Sequence, residues 1–449
     1  MSTQNEKRRI IIMGAAGRDF HNFNTVYRDD PTVQVVAFTA TQIPGISGRT
    51  YPPTLSGELY PSGIPIVGEE KLAELCREHR VHEVVFSYSD VPYDYVMRRA
   101  AITNAAGASF TLLGGDATML DAKVPVVAVC AVRTGCGKSQ SSRYIARVLR
   151  ERGLRVVVIR HPMPYGDLAR QAVQRFASMS DITAADCTIE EREEYEPHVV
   201  EGIVVYAGVD YARILAQAQA EADIIIWDGG NNDTPFYRPN LWITVADPLR
   251  VGDELSYYPG ETNLRAADIV LINKVNSADP QAVETLRTSI ASANPDATVI
   301  AADSTFDLGD EARAAVHGKR VLTIEDGPTV THGEMAYGAA QVAARELGAA
   351  EIVEPRGAAR GSIAAALERY AHLDRTLPAL GYSTEQVREL EQSIAAIDCD
   401  AVLYATPIDL EGIVHIEKPA FRVRYELNDR AGEKSLASAV HSWLDERGR

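Results

Sequence analysis

Cysteine is scarce in this chain, and the few present are not arranged for chemistry. There are five among 449 residues, Cys76, Cys130, Cys136, Cys187 and Cys399, with no C-x-x-C pair and no zinc-ligand spacing. An odd, scattered set excludes a disulfide framework and points to a reducing cytoplasm. Long apolar runs are missing too. None approaches the ~20 residues that a membrane-spanning helix needs, and Met1 to Arg9 is polar, unlike a secretory signal. A cytoplasmic protein with no membrane partner is therefore expected. Positive charge is also short: 45 Lys and Arg face 62 Asp and Glu, a formal charge of −17. Such a surface does not suit nucleic acid, which is bound through basic faces. An anionic ligand must be met by local positive charge. There is no internal repeat and no low-complexity tract. What is present is a globular balance, 46% hydrophobic and 24% charged, on a length that suggests two or three domains.

The pattern is α/β. Ile10 to Met13, Val33 to Thr39, Glu83 to Ser87 and Ala108 to Leu113 read as strands, with Leu72 to Arg80 at helical spacing. This order predicts an N-terminal Rossmann-like parallel sheet over 1–122. A second unit, 123–326, carries apolar strands such as Val126 to Ala131, Leu154 to Arg160, Ile203 to Tyr206, Asp223 to Trp227, Leu241 to Val245, Ile269 to Asn273 and Arg320 to Ile324. Uninterrupted runs such as Val156 to Ile159 suggest strands buried on both faces of a parallel sheet. Residues 327–449 read as a C-terminal α/β extension.

The sharpest motif is Thr134-Gly135-Cys136-Gly137-Lys138-Ser139, between the strand Val126 to Ala131 and a helix-forming run from Ser142 to Arg152. That is the context of a P-loop. Glycines turn backbone N–H groups toward phosphates, Lys138 reaches the β and γ phosphates, and the Ser139 hydroxyl ligates Mg2+. Gln140 follows directly and joins the nucleotide-binding set. The strict pattern wants a glycine at Val132, so the match is incomplete. Arg133 is expected either to reach a nucleotide, in cis or across a homodimer, or to be a surface arginine. Ile224 to Trp227 ends in Asp228, where a Walker-B carboxylate holds magnesium. Asn273-Lys274-Val275-Asn276 is similar to the base-reading Asn-Lys-x-Asp of GTPases, but Asn276 offers one acceptor oxygen where guanine needs a carboxylate. ATP is therefore expected, with GTP as the alternative.

Further polar clusters surround these motifs. Arg160-His161 and the loop to Asp167 sit where switch loops lie: Arg160 and His161 for a phosphorylated acceptor, Asp167 for metal. Glu190 to Glu196 reads as a solvated helix, or else as a second metal site or general base. Gly14-Ala15-Ala16-Gly17 follows the first strand, but the second strand ends without the carboxylate that NAD requires. Arg18, His21, Asn24 and Arg28 suit a small charged anion; the alternative is a degenerate domain used for packing.

The stretches Ile12 to Asn24, Ala131 to Gln140, Arg160 to Leu168 and Trp227 to Asp233 together resemble the cyclic 2,3-diphosphoglycerate synthetase family, over Arg8 to about Tyr425. The resemblance implies a magnesium- and ATP-dependent ligase that closes 2,3-diphosphoglycerate into its cyclic diphosphate. Lys138, Arg133, Arg160 and magnesium held on Ser139 and Asp228 would neutralise the transferring phosphate, and Arg18, His21, Asn24, Arg28 and His161 would hold the small phosphorylated substrate. A regulatory or metal-delivery GTPase and an amide-forming ligase related to dethiobiotin synthetase are the alternatives.

Overall fold

The computed structural model describes residues 6–41, 48–161, 166–306, 308–331, 333–380, 384–407 and 409–448. Pro162, Met163, Pro164 and Tyr165 of the expected switch loop, and Gln42 of the second strand end, lie outside them. The side chains of Ile189, Asn231 and Pro328 are likewise not described.

Among the described residues there are three large sheets and one antiparallel pair, Val91–Pro92 with Tyr257–Tyr258. The first has six strands, in the order Thr50–Tyr51, Ile64–Gly68, Val33–Ala40, Arg8–Met13, Glu83–Phe86 and Ser109–Leu112. All its pairings are parallel except the short edge strand Thr50–Tyr51. Burial is complete from Ile10 to Met13 and from Ala37 to Thr39, so both faces are covered there, as a parallel sheet requires.

The second sheet has nine strands and carries the P-loop. The strand Val126–Ala131 lies between Ile224–Asp228 and Leu241–Ala246, with Val156–Arg160 beyond Ile224–Asp228. Each of these is an apolar run with almost no exposed residue, and the pairings are parallel. The side chains of the P-loop helix Lys138–Glu151 that face inward, Ile145, Ala146 and Leu149, join one core with Ile226, Val245 and Leu271.

Two expectations about the chain's path are corrected. The strand Arg320–Asp326 was assigned to the P-loop sheet, but it is the centre of the third sheet, paired with Glu351–Ile352, Thr376–Ala379 and Ala401–Ala405. The third sheet therefore begins before residue 327. Nor does everything after it form a separate extension. Tyr425–Asp429 pairs antiparallel with Thr298–Phe306, and the helix Leu436–Asp445 sends Leu436, Val440, Trp443 and Leu444 into the P-loop core. Apolar spacing on that helix shows that a face is buried; it does not say against which sheet. Because the chain leaves the second sheet and returns to it, the third sheet is held against the P-loop along two connections.

Candidate active site

The P-loop turns on two glycines in the left-handed region, Gly135 at φ +86° and Gly137 at φ +100°, where other residues are strained. A Cβ on Gly137 would stand 2.1 Å from the Asn273 amide nitrogen. That close approach lets Asn273 donate to the Cys136 carbonyl at 3.0 Å. Lys274 donates to the Gly135 carbonyl at 2.6 Å and to Asp247 at 2.7 Å. Asn273 and Lys274 thus brace the loop from behind. Asn276 is turned away: it donates to the Ser304 carbonyl and accepts from the Ser304 N–H, both at 2.9 Å.

Asp228 is the electrostatic centre. It is fully buried and stands in parallel register beside Arg160 on the next strand. One of its oxygens accepts from Lys138 at 2.6 Å. The other meets the Arg160 guanidinium and lies 3.2 Å from His198 Nε2. Burial alone would raise the Asp228 carboxyl, but Arg160 and then Lys138 outweigh it and hold it well below the usual range. Burial, reinforced by Arg160, lowers the Lys138 ammonium to about 8. A phosphate arriving in the loop would meet a lysine already desolvated and poised to be charged.

Arg133 is a buried residue of the site wall and not a surface arginine. It is 2% exposed and donates to Asp90 at 3.0 Å and Asp253 at 2.9 Å, with Glu334 at 3.3 Å and the Tyr257 ring 3.5 Å away. Asp90 comes from the first sheet's unit and Glu334 from the third's, so Arg133 ties all three to the base of the P-loop.

The residues proposed for acceptor binding do not converge on an open pocket. Asp19 accepts from the N–H groups of Ala16 at 2.8 Å, Gly17 at 3.2 Å and Phe20 at 2.7 Å. The loop after the first strand is filled by the chain's own carboxylate, which leaves no place there for a phosphate. Arg18 lies 4.3 Å over Phe236 and 3.6 Å from Asp233 of the P-loop unit. His21 stacks on Phe236 at 4.1 Å and meets the Thr118 carbonyl at 2.6 Å; burial lowers it to about 3, so it is neutral. Asn24 accepts from the Tyr51 hydroxyl, and Arg28 pairs with Asp29 on the surface. His161 sits 3.2 Å from Asp233 and passes so near Gly17 that a Cβ there would be 1.9 Å from its ring. Arg18, His21 and His161 therefore form the contact between the first and second sheets. Asp167 is exposed and accepts from the N–H groups of Ala169 and Arg170; it is not on the cavity described next.

A cavity of about 640 Å³ opens off the P-loop toward the third sheet. At one end are Lys138, Ser139, Gln140 and Arg160; at the other are Glu193, Glu325, Asp326 and Arg422. Its side wall is the helix Ile189–Val200, started by a capping box in which Thr188 and Glu191 exchange hydrogen bonds. Glu190, Glu193, Glu194 and Pro197 recur at helical spacing and all line the cavity. Glu190, Glu191 and Glu193 are buried, so the acidic run is not a solvated face. Glu194 pairs with Arg160. Burial, together with Asp326 and Glu190, raises the Glu193 carboxyl well above its ordinary value. Burial also raises Asp326, and it raises Glu325 to about 8 despite three backbone N–H groups.

No family model matches the chain. It is 55% identical over 440 residues to arginine synthetase ArcE of Thermococcus kodakarensis, covering 98% of this chain and 98% of the relative. The chain belongs to the ArcE family. Solved structures are more distant. LpxK of Aquifex aeolicus, in complex with ATP, is 12% identical over 79% of this chain and 97% of its own, at a TM-score of 0.44. A cobyrinic acid a,c-diamide synthase of Mycobacterium smegmatis, with an ATP analogue and magnesium, is 16% identical over 47% of this chain and 77% of its own, at 0.18.

Several residues that support the P-loop were not legible in the sequence. Arg250 donates to the Thr134 carbonyl at 2.7 Å and the Gly333 carbonyl at 2.7 Å, clamping the P-loop to the third unit. His198, Asp247 and Asp90 also belong to the loop's support. Only proximity in the fold reveals them, because none lies in a motif. For magnesium, the Ser139 hydroxyl at the cavity wall is a suitable donor. Asp228 already carries Lys138 and Arg160, so it would act on the ion through water or after those cations move. Among the described residues no three His, Cys, Asp or Glu side chains gather closely enough to form a separate metal site, and no helix is long and apolar enough to cross a membrane.

Proposed function

We propose that this protein is an ATP-dependent synthetase whose product is arginine. The observation that carries this reading is the cavity that joins the P-loop to a wall of buried carboxyl groups. A P-loop supplies ATP chemistry. A carboxyl-lined wall suits a guest bearing a cation, and disfavours a polyanion by like-charge repulsion and the cost of burying it. The relative's name, arginine synthetase, fits that polarity.

The chemistry follows from the product. To make arginine in one ATP-dependent step, a nitrogen must replace the oxygen of a ureido group that already has the rest of the skeleton, as in L-citrulline. The ureido oxygen attacks the γ phosphorus, ADP leaves, and the oxygen becomes part of a phosphate leaving group. Ammonia adds to the central carbon, phosphate departs with that oxygen, and protons are lost to give arginine, ADP and phosphate. Lys138 and Arg160 would neutralise charge as the phosphoryl group moves, which is the main contribution a protein makes to such transfers. Ser139 would hold magnesium, which would supply further charge neutralisation at the nucleotide phosphates. Glu194 holds Arg160 in place, and Asn273 and Lys274 keep the loop's carbonyls turned away from the phosphates. The orientation of Asn276 against Ser304 supports adenine over guanine.

The cyclic 2,3-diphosphoglycerate reading has the motif resemblance in its favour and five cavity arginines, Arg133, Arg143, Arg160, Arg422 and Arg424. It has against it the buried acids opposite them and the packed state of Arg18 and His21. An assay of ADP release separates the two. ATP turnover should require L-citrulline and ammonium together, and should not respond to 2,3-diphosphoglycerate. The reverse dependence would replace the arginine reading with the cyclic diphosphate.

A further inference from the structure

Buried carboxyl groups that form no ion pair need an explanation, because an unpaired carboxylate in a low-dielectric site is costly. Glu193 is 8% exposed, and its Oε1 is buried without a hydrogen-bond partner. Asp326 lines the same cavity and raises the Glu193 carboxyl; its own carboxylate accepts from the Thr329 N–H at 3.2 Å and from the Thr329 hydroxyl. Glu325, on the same strand as Asp326, accepts from the Gln341 N–H at 2.9 Å and the Ala340 N–H at 3.3 Å. None of the three forms an ion pair with a described residue, although the chain makes many such pairs elsewhere. All three line the cavity.

We propose that Glu193 and Asp326, meeting between the helix Ile189–Val200 and the strand Arg320–Asp326, are the guanidinium subsite of the cavity and select the cationic amino acid. This rests on the arginine reading above and assigns its specificity to named groups. The chemistry of the pair decides the guest. No three acidic, histidine or cysteine side chains among the described residues converge on a point, so a compact metal ion has no cage here. A guanidinium is broad and planar, with five N–H donors in a fixed fork that can satisfy two separate carboxylates at once. The location also fits. Glu194, the next residue, touches Arg160, and Arg160 touches Asp228 beside Lys138. Glu193 is thus the neighbour of a residue that reaches the phosphoryl-transfer end of the same cavity.

Burial raises both carboxyls, which favours a proton held by the pair when no guest is present. The other charged or titratable groups around them are Glu190 on the same helix, Glu325, Arg422 and Tyr425 from the third unit and the returning chain, and Arg143 from the P-loop helix. A guanidinium that takes the proton's place expels it. Binding of arginine should therefore release a proton, whereas binding of neutral L-citrulline should not.

The test is calorimetry on the full-length protein, titrating L-arginine and L-citrulline in two buffers of different ionisation enthalpy. ADP titration serves as the control for an intact P-loop. The expected result is proton release with arginine alone. Glu193→Gln and Asp326→Asn should each weaken arginine at least tenfold, erase most of its advantage over citrulline and leave ADP affinity unchanged. Absence of arginine binding in the unaltered protein, or unchanged arginine affinity and proton release in both variants, overturns the subsite. If the subsite behaves as stated but no arginine is synthesised, the subsite stands and the proposed function falls. If arginine is synthesised with unchanged affinity in the variants, the function stands and the subsite falls.

Discussion

Replacing Arg18 by alanine should destabilise the protein and leave its ligands alone. The guanidinium lies 4.3 Å over the Phe236 ring, 3.6 Å from Asp233 and 3.4 Å from the Thr118 hydroxyl, and it also meets the Thr234 carbonyl. Asp233 is 1% exposed, and neither of its oxygens has a hydrogen-bond partner. Truncation would leave that carboxylate facing only His161 at 3.2 Å. Removing one partner of a buried pair costs about 3–5 kcal/mol. The remaining histidine offsets part of this, and the lost ring contact adds roughly 0.5–1 kcal/mol. A net loss of about 2–4 kcal/mol is expected. It would be read from urea unfolding followed by tryptophan fluorescence, since Trp227 stacks 4.6 Å from Phe236 and reports on this contact. ATP and arginine affinities, measured by calorimetry below the transition, should be unchanged. An unaltered unfolding curve with lost affinity for the non-nucleotide substrate would refute the packing role and return Arg18 to an acceptor site.

Four further outcomes follow from the same geometry. Lys138→Ala should abolish ATP turnover while circular dichroism stays native, because Arg160 still compensates Asp228; turnover near normal would refute the P-loop assignment. Gly17→Ala places a Cβ 1.9 Å from the His161 ring and should lower stability by about 1–3 kcal/mol through overpacking, measured by urea unfolding. Burial holds Lys138 at about 8 before a nucleotide arrives; bound phosphates favour its charged form and raise it, so ATP binding near pH 8.5 should take up a proton, visible as a buffer-dependent calorimetric enthalpy. ADP should bind more tightly than GDP in calorimetric titrations, because Asn276 is committed to Ser304; the opposite order would revive the guanine reading.

The P-loop, the Walker-B strand and the alternation of strands and helices were legible because each is local. Glycine spacing, four apolar residues before Asp228 and a helix-forming run after Ser139 carry their own physics. What was not legible depends on which faces meet. Arg18 and His21 look like ligands for an anion until Phe236 and Asp233 are seen against them. Asp19 is unremarkable in sequence, yet it consumes the N–H groups that a phosphate would need. The run Glu190 to Glu196 does not reveal its buried face, because every position except Tyr195 is charged and no apolar periodicity marks the inside. The strand Arg320–Asp326 is apolar enough for either sheet, and only its partners Thr376–Ala379 and Ala401–Ala405 decide the matter. Arg250 and His198 act through long-range contacts that no motif announces.

The most direct test of the account follows two isotopes through one reaction. The protein would be incubated with ATP, magnesium, L-citrulline labelled with 18O in the ureido group, and 15N-ammonium, and the products analysed by mass spectrometry and phosphorus NMR. The account predicts equal amounts of ADP and arginine, 15N in the guanidino group, and the 18O in inorganic phosphate. Phosphate without 18O, or ATP hydrolysis with no arginine formed, would contradict it.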